Sequence, residues 1–509
     1  MAGATSTEAP AEQQLNGLLR RVDWRFLLDW PEAPRLVSPV AGRTGRALAL
    51  ISAGGPEGRG APDLAVIGFP RAASLGAAID GLPAGGSIVC AWNAPRRRGA
   101  RRAARRMAAA GLVDVRVYWP GPIPWRAPQF WLPLESAAAR DRLLAQRPPR
   151  SRLQAALRPL WRAAARAGLL APLYAVGRAP DPTRGEERPA DGISAVFPPT
   201  ADRMLLTGGA RSINKVVGMP LGAKDEQPTR VVKFSRVEAA DLALDREAET
   251  LRTIEEVRPE VPGIPRLLAQ GRRAGRRALA ESGVHGRPLI SELSEETFGR
   301  LTRQVTDWLI ALAGDGEALP RSDWWARLAE APLAEFERNF GAALASDSLR
   351  RIRERIEGLG DLPEACEHRD CSPWNIVLTG DGGPGLLDWE SAEPRGLPGL
   401  DLCYFLANAA FVLDGALESG RTRESYAQLR DPGSRHGREV ARREAEYGER
   451  LAISAEDLSR LRLLCWIVHS RSDHRHMSME AGGEPSPAAL RDAMFVGLAE
   501  EELDGQGGG

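Results

Sequence analysis

The stretch Glu367-His368-Arg369-Asp370-Cys371-Ser372-Pro373-Trp374-Asn375-Ile376-Val377-Leu378 carries the strongest structural signal in this chain. It joins a His-x-Asp triplet to an asparagine and then to a short apolar run. The run is typical of a strand, and the Gly-rich residues 379–384 that follow predict a turn. Leu386-Leu387 then predicts a return strand ending at Asp388. We therefore expect a hairpin that brings two carboxylates and one amide close together.

These residue types suit phosphoryl transfer from ATP. That reaction needs an acceptor hydroxyl held in line and Mg²⁺ ions that neutralise the phosphates, with little covalent help from the protein. His-Arg-Asp, four intervening residues and Asn match the spacing of a kinase catalytic loop. The spacing predicts Asp370 as the base and Asn375 and Asp388 as the metal ligands. His368 is expected to brace the loop, and Glu390 to assist the metal or the acceptor.

The same residues resemble the aminoglycoside phosphotransferase and choline kinase group of small-molecule kinases. Asp388-Trp389-Glu390 stands where protein kinases carry Asp-Phe-Gly, and residues 396–402 resemble a segment in which the group commonly has a structural aspartate, here Asp401. The resemblance implies an α+β two-lobed protein-kinase-like domain that uses ATP and Mg²⁺. It also implies a small-molecule hydroxyl acceptor, such as a sugar, an aminoglycoside or an amino alcohol. A chance pattern in a loop between two strands is the alternative.

A kinase-like nucleotide lobe upstream would need a phosphate-covering turn, a strand lysine and a helix glutamate. Residues 204–212 predict the turn, where backbone N–H groups could approach phosphate, and its candidate residues are Gly208, Gly209 and Ser212. Lys233 lies in the middle of a predicted strand, Arg230-Val231-Val232-Lys233-Phe234. Glu247, on a predicted helix over 239–257, is its expected ion-pair partner, and Glu249 is the alternative.

The hinge that would bind adenine is placed only by its order in the chain. Glu281 and Gly283 occupy that position, after a predicted strand and before His285-Gly286-Arg287-Pro288-Leu289, which resembles a segment of the kinase group. With these two residues the order of turn, lysine, glutamate, hinge, base and metal ligand is complete. Each part supplies context for the others, which a single motif lacks.

The first part of the chain has a different pattern, in which strands alternate with helices. Residues 47–51, 63–68, 87–92 and 113–119 are candidate strands, and residues 72–79 and 96–111 are candidate helices. This alternation predicts an α/β sheet. The aromatic patch over residues 23–28 is expected to anchor this first domain. An arginine-rich stretch over 96–106 has no interleaved aromatic residues, so it favours a solvated helix face over a nucleic-acid site.

Residues 20–180 also resemble the second half of a class I S-adenosylmethionine methyltransferase. The resemblance lies in a Leu-Pro-Ala-Gly-Gly turn before the third strand and in Ala110-Gly111-Leu112 before the fourth. The cofactor-binding Gly-rich turn of that family is missing, because only residues 37–45 stand in its place. We therefore expect a degenerate methyltransferase-like domain without cofactor, which could dock a partner protein.

The expected domain organisation follows from these patterns. Residues 1–180 would form the degenerate α/β domain, and the Pro-rich residues 181–200 a linker. Residues 201–290 would form the kinase-like N-lobe and residues 291–509 a helical C-lobe. Candidate acceptor contacts in that lobe are Asp414, Glu418, Asp473 and Glu480, and the spacing of His469, His474 and His476 leaves a metal site as a minor alternative.

Composition limits the remaining classes of function. The chain has 509 residues, 43% hydrophobic and 27% charged, with a net charge of +1. This balance gives no electrostatic case for nucleic acid or an anionic membrane. Five scattered cysteines form no C-x-x-C pair. Without an apolar span or a signal-peptide pattern, a cytoplasmic protein with no stable membrane anchor is expected.

Two other functions stay open from the sequence. The first is a catalytically inactive nucleotide-binding or scaffold protein, for which the atypical glycine turn leaves room. The second is a methyltransferase fused to a kinase-like domain. Binding of S-adenosylmethionine would distinguish the second from a phosphotransferase.

Overall fold

The computed structural model describes residues 15–30, 32–37, 42–52, 62–68, 70–92, 97–121, 126–136, 139, 159, 173–181, 192–208, 215–221, 228–314, 316–481 and 483–504. The chain falls into two compact units. The sheet unit comprises Ala11–Ala248 and Leu267–Gly283, and the helical unit comprises mainly Glu249–Arg266 and Val284–Gly509. Within the described part of the chain, no helix is both long enough and apolar enough to span a membrane.

Eleven strands of the described sheet unit form one sheet, in the order β1-β2-β3-β6-β4-β5-β7-β8-β9-β11-β10. They are β1 (Leu36–Val37), β2 (Leu64–Ile67), β3 (Ser87–Trp92), β4 (Val113–Gly121), β5 (Phe130–Pro133), β6 (Leu173–Arg178), β7 (Asp202–Leu206), β8 (Lys215–Leu221), β9 (Arg230–Ser235), β10 (Leu267–Arg273) and β11 (Arg276–Ser282). β1, β2 and β3 are parallel neighbours, and the other pairs are antiparallel.

The helices of the sheet unit connect or cover these strands. They are the 3-10 helix Arg20–Leu27, Gly42–Ala49, Ala72–Asp80, Arg97–Ala109, Ile193–Val196, the 3-10 helix Glu238–Ala240 and the first part of Asp241–Val257. The predicted alternation of strands and helices over 63–119 is confirmed. The candidate strand over 47–51 is wrong, because Gly42–Ala49 is a helix that buries Ala47 and Leu48. A short apolar run alone does not distinguish a strand from a buried helix turn.

Apolar side chains cover both faces of the sheet in two separate clusters. One cluster includes Phe26, Trp131 and Phe234, and the other includes Ile88 and Trp119. Successive side chains of a strand point to opposite faces, so strands buried on both sides need apolar residues at nearly every position. This requirement explains the continuous apolar runs of β2 and β3.

The sheet passes without interruption from residues before 180 to residues after 200. β5 pairs with β7, with Phe130 opposite Leu206 and Trp131 opposite Leu205. Residues 182–191 of the predicted linker lie outside the described residues, and Ile193–Val196 is a helix that buries two of its side chains. The predicted domain boundaries at 180, 200 and 290 stay a prediction. The two compact units described above divide the chain at other residues.

The helical unit consists mostly of helices around short antiparallel strand pairs. The helices are the end of Asp241–Val257, Leu289–Glu292, Phe298–Ala313, Arg321–Trp325, the π-helical turn Ala326–Glu330, Ala331–Phe340, Ser346–Glu357, the 3-10 helix Trp389–Ser391, Leu400–Leu413, Ala416–Ser419, Thr422–Arg430, Arg435–Arg450, Ala455–Ala481, Pro487–Arg491 and Met494–Asp504. The strands are β12 (Arg287–Pro288), β13 (Ala318–Leu319), β14 (Leu362–Pro363), β15 (Ala365–Glu367), β16 (Ile376–Leu378), β17 (Pro384–Leu386) and β18 (Glu393–Gly396).

The predicted hairpin is formed by β16 and β17. β16 pairs with β17 through Ile376 opposite Leu386 and Leu378 opposite Pro384, and β12 adds a third strand beside β16. The return strand begins at Pro384, two residues before the predicted start. The turn closes with hydrogen bonds between Thr379 and Gly383 and from the Gly382 N–H to the Thr379 carbonyl.

Candidate functional site

In the sheet unit, the strand lysine lies in a buried cluster of charges. Lys233 is at the middle of β9, between β8 and β11. Its Nζ forms an ion pair with Glu247 and lies 3.1 Å from Glu281 Oε1. All three side chains are buried. The alternative partner of the lysine, Glu249, is exposed and pairs with Arg252 at 2.7 Å.

The contact with Glu281 was missed in the sequence, where that residue was placed at the hinge. In the strand pairing, Leu279 stands opposite Lys233. Glu281 comes two residues after Leu279 and therefore points to the same face of the sheet. A register assignment between β9 and β11 would have found it. Two carboxylates around one ammonium hold Lys233 in a fixed position, and a buried ammonium needs such partners.

The predicted phosphate turn lies between β7 and β8, which form an antiparallel hairpin. Gly208 has φ +72°, in the left-handed region that glycine adopts without strain. Gly209 and Ser212 lie outside the described residues. Gly208 is the second residue after β7, within the predicted phosphate turn.

Gly283 has a packing role in the sheet unit. Its N–H donates to the Thr229 carbonyl at 2.8 Å. A Cβ at this position would lie 2.1 Å from the Pro228 carbonyl oxygen. Glycine is therefore required by the close approach of two backbone segments, and the hinge role of Gly283 stays a prediction.

In the helical unit, the predicted base Asp370 and the predicted metal ligand Asn375 contact each other directly. Asn375 Nδ2 donates to Asp370 Oδ2 at 2.8 Å and to the Asp370 carbonyl at 3.0 Å. Both side chains are partly exposed. No hydrogen bond among the described residues uses Asn375 Oδ1. The amide nitrogen therefore orients the Asp370 carboxylate, and the amide oxygen is the atom that the predicted cation would use.

The second predicted metal ligand, Asp388, follows the hairpin at a left-handed backbone position. The Leu387 N–H donates to the Asn375 carbonyl at 2.8 Å, which keeps the two segments together. Asp388 then has φ +70° and is partly exposed. Asp and Asn adopt this left-handed conformation more readily than other residues with a side chain. Glu390, two residues later, is exposed.

The donor set suits a small hard cation. Mg²⁺ binds oxygen ligands and takes one or two carboxylates together with substrate phosphates. Asp388 offers a carboxylate, and Asn375 offers an amide oxygen that no described partner uses. These two residues therefore fit the predicted role of holding Mg²⁺, and the role itself stays a prediction.

His368, predicted to brace the loop, contacts both Asp370 and Leu387. The ring is fully buried, and its Nδ1 accepts from the Asp370 N–H at 3.3 Å. Nε2 then carries the proton and donates to the Leu387 carbonyl at 3.0 Å. The ring also meets Trp389 edge to face, with centroids 4.7 Å apart. One imidazole thus connects the base to the strand that leads to Asp388.

A buried carboxylate, that of Asp401, also supports the loop that carries Asp370. Asp401 accepts the backbone N–H groups of His368 at 2.6 Å and Arg369 at 2.8 Å. Arg369 has φ +61°, and its Nε donates to Glu367 at 2.6 Å. The resemblance implied a structural aspartate at this position, and the two hydrogen bonds agree with that role. They keep Arg369 in its strained backbone conformation.

Burial raises the pKa of Asp401 to about 7, and the neighbouring Glu367 carboxylate adds to the shift. The folded-state pKa therefore lies above the ordinary value of 3.8. At a pH between the two pKa values, the Asp401 carboxyl is ionised in the unfolded chain and protonated in the folded chain. The contribution of Asp401 to stability is consequently full below about pH 4 and falls as pH rises towards 7.

Asp401→Asn is expected to reduce the free energy of unfolding by about 1–3 kcal/mol, because one of the two backbone N–H groups would face an amide NH₂. Since the variant cannot titrate there, the difference from the wild type should shrink as pH rises from 4 to 7. Urea unfolding at pH 4.5, 6 and 7.5 measures both effects. Asp347→Asn on the exposed helix Ser346–Glu357 is the control, and an equal loss in both variants would contradict the prediction.

In the described part of the chain, His469, His474 and His476 do not belong to a cluster that could hold a metal ion. His469 stacks on Tyr404, with centroids 3.8 Å apart. His474 contacts Phe340 instead, edge to face at 5.7 Å. Burial lowers the pKa of His469 to about 3, so its ring is neutral. His469 and His474 are therefore engaged by different aromatic partners along the helix Ala455–Ala481.

The candidate acceptor residues have different surroundings. Asp414 accepts a hydrogen bond from Ser425, and Asp473 accepts the Phe495 N–H at 3.2 Å. Burial raises the pKa of Asp473. Glu418 lies in the short helix Ala416–Ser419, and the side chain of Glu480 is not among those described. These contacts do not rank the four residues as acceptor ligands.

Residues 221–440 match the model of a family described as the phosphotransferase enzyme family. The predicted resemblance is therefore confirmed over this segment, which contains Lys233, Asp370 and Asp388. A search of curated proteins found no significant match.

Several solved structures are similar to this chain. Aminoglycoside phosphotransferase APH(3'')-Id from Streptomyces rimosus, in complex with ADP and streptomycin, is 19% identical, covers 50% of this chain and 90% of its own, and has a TM-score of 0.33. The aminoglycoside-3'-phosphotransferase of type VIII is 20% identical, with coverages of 50% and 89% and a TM-score of 0.33. A thermostable mutant of APH(4)-Ia is 14% identical, with coverages of 61% and 96% and a TM-score of 0.37.

Proposed function

We propose, on the premise that residues 221–440 belong to the phosphotransferase enzyme family, that this chain transfers a phosphoryl group from ATP to a hydroxyl of a small molecule. The observation that carries the proposal is the hydrogen bond from Asn375 to the Asp370 carboxylate at 2.8 Å. A base and a metal ligand that orient each other are the parts this chemistry requires. Sugars, aminoglycosides and amino alcohols are the acceptor classes that we propose.

Each residue has a role in this mechanism. Asp370 orients the acceptor hydroxyl and takes its proton as the hydroxyl oxygen bonds to the γ-phosphorus of ATP. The bond from that phosphorus to the β–γ bridging oxygen breaks, and ADP leaves. Asn375 holds the Asp370 carboxylate in one direction, and His368 connects the same loop to the strand before Asp388. Lys233, fixed by Glu247, binds the α- and β-phosphates of ATP. Holding the reactants in this way replaces a bimolecular encounter by a positioned one.

Asn375 and Asp388 are the residues that would hold Mg²⁺, and Glu390 is a further candidate. When bound, the cation neutralises charge on the β- and γ-phosphates. The partly exposed position of Asp388 leaves its carboxylate accessible to solvent. These two residues thus supply hard oxygen ligands without an all-protein cage, which is the usual mode of Mg²⁺ binding.

Binding of ATP tests the proposal. Calorimetric titration of the wild type with ATP is expected to show binding with Mg²⁺ and a strong loss of affinity with EDTA. ADP release in a screen of sugars, aminoglycosides and amino alcohols would then identify the acceptor class. The absence of any ATP binding would overturn the proposal. Binding without turnover on any acceptor would favour the inactive nucleotide-binding protein.

We also propose that residues 20–180 derive from a methyltransferase-like fold. The parallel pair β2 and β3, with a helix after each of them, supports this origin. Fold alone does not imply activity. Titration with S-adenosylmethionine is expected to give no heat of binding, and clear saturation would favour the fused methyltransferase instead.

A further inference from the structure

Residues 15–30, here called the N-terminal segment, pack on the strand that carries Lys233. Phe26 of this segment stacks on Phe234, with centroids 4.8 Å apart and planes 11° from parallel. Arg25 donates to the Arg236 carbonyl at 3.0 Å. The segment forms the 3-10 helix Arg20–Leu27, in which all residues except one are buried. It is therefore part of the interior of the sheet unit.

A buried ion pair holds the segment at the end of β9. Arg236 and Asp23 are both completely buried, and Arg236 Nη2 lies 2.9 Å from Asp23 Oδ2. Arg236 Nε lies 3.2 Å from each carboxylate oxygen. The same guanidinium donates to the Thr207 carbonyl through Nη2 at 2.6 Å. Asp23 thus compensates the charge of an arginine that also binds the entry to the phosphate turn.

A second buried arginine binds the next residue of the turn. Arg20 Nη2 donates to the Gly208 carbonyl at 2.9 Å, and its Nε donates to the Pro128 carbonyl at 2.8 Å. Pro128 also accepts the Thr207 hydroxyl at 2.6 Å. The Thr207 N–H donates to the Gln129 carbonyl at 3.0 Å. Every polar group of Thr207 is therefore engaged, and three of the four residues that fix Thr207 and Gly208 come from the first 130 residues.

We propose that the N-terminal segment is a positioning element of the nucleotide site. Through Arg20 and the Asp23–Arg236 pair, it fixes Thr207 and Gly208, the two residues that follow β7 in the predicted phosphate turn. Loops ordered before the ligand arrives bind it with less loss of conformational entropy. The segment therefore sets the affinity for ATP, in addition to its part in the core. This inference rests on the proposed function.

The chain offers a matched control for the test. Arg273 is equally buried and also binds the segment, through Asp29 Oδ1 at 2.5 Å and the Leu28 carbonyl at 2.9 Å. Arg273 also donates to the Phe197 carbonyl at 3.2 Å. Arg20→Gln removes a buried guanidinium from the segment itself, and Arg273→Gln removes one on β10 that binds the segment. Of the two, it is Arg20 that donates to the Gly208 carbonyl.

The experiment compares ATP–Mg²⁺ affinity and melting temperature in the two variants. Both variants are expected to melt at a lower temperature. Arg20→Gln should raise the dissociation constant for ATP about tenfold, as expected for the loss of a charge-assisted hydrogen bond. Arg273→Gln should leave it within about twofold of the wild type. Equal changes in affinity, or none in Arg20→Gln, would overturn the inference.

A second measurement keeps the inference separate from the proposed function. Hydrogen–deuterium exchange of residues 204–208 in the ATP-free protein should become faster in Arg20→Gln and stay unchanged in Arg273→Gln. If the wild type binds no ATP, the proposed function fails, and the exchange comparison still decides whether Arg20 orders the turn. Unchanged exchange in Arg20→Gln would refute the positioning role directly.

Discussion

Replacing Asp370 by asparagine is expected to lower kcat by roughly 10²–10⁴-fold, the usual contribution of a general base. The amide cannot take a proton, and it would place an NH₂ group where the carboxylate now accepts from Asn375. ATP binding should change little, because Asp370 is proposed to act on the acceptor hydroxyl. Coupled measurement of ADP release, together with calorimetry for ATP, separates the two effects.

Asp347→Asn is the control for Asp370→Asn. Asp347 is an exposed aspartate of the same unit and pairs with Arg350 on the surface of the helix Ser346–Glu357. This variant should keep full activity. An Asp370→Asn protein that retains more than about a tenth of the wild-type kcat would rule out Asp370 as the base. Loss of ATP binding in the same variant would instead indicate a general disturbance of the loop.

The arrangement around Asp370 could be predicted because its determinants are local in sequence. Asp370, Asn375 and Asp388 are connected by one short hairpin, and the strand and turn signals of that hairpin are present in the chain. The pairing of Ile376 with Leu386 confirms the predicted hairpin. The position of Asp401 also followed from the resemblance, although Asp401 lies over 30 residues along the chain from His368, whose N–H it accepts.

The contacts of the first 130 residues could not be predicted in the same way. The aromatic patch around Phe26 was expected to anchor the first domain, yet Phe26 stacks on Phe234 of the strand that carries Lys233. Such a contact joins residues about 200 positions apart, and periodicity reports only local burial. The pairing of β5 with β7 is also non-local, so the continuous sheet had no signal in the sequence.

The charge cluster of Lys233 could be predicted only in part. Glu247 was predicted from its place on the following helix, whereas Glu281 depends on the register between β9 and β11. Register is determined by the burial of whole strand faces, and the apolar residues around Glu281 gave no clear alternation. A glutamate in an otherwise apolar strand itself indicated a charged partner, because glutamates are rarely buried without one.

Asp388→Asn is expected to reduce kcat by on the order of 10³-fold, equivalent to about 4 kcal/mol. It should also remove most of the Mg²⁺ dependence of ATP binding, because the amide lacks the charge that attracts the cation. Asparagine is the informative substitution here, since Asp388 has φ +70°. Asparagine tolerates this conformation, whereas alanine would add backbone strain of about 1–2 kcal/mol to the loss of the carboxylate.

Glu390→Gln is the control for Asp388→Asn. Glu390 is an exposed carboxylate two residues further on, so the two variants remove the same charge from nearly the same place. If Asp388 is the metal ligand, Mg²⁺ titrations of ATP binding should show a large loss for Asp388→Asn and a small one for Glu390→Gln. The reverse order would assign the cation to Glu390, and equal small losses would leave neither carboxylate as its ligand. Because melting temperatures should remain similar in both variants, a shared loss of affinity could not be attributed to unfolding.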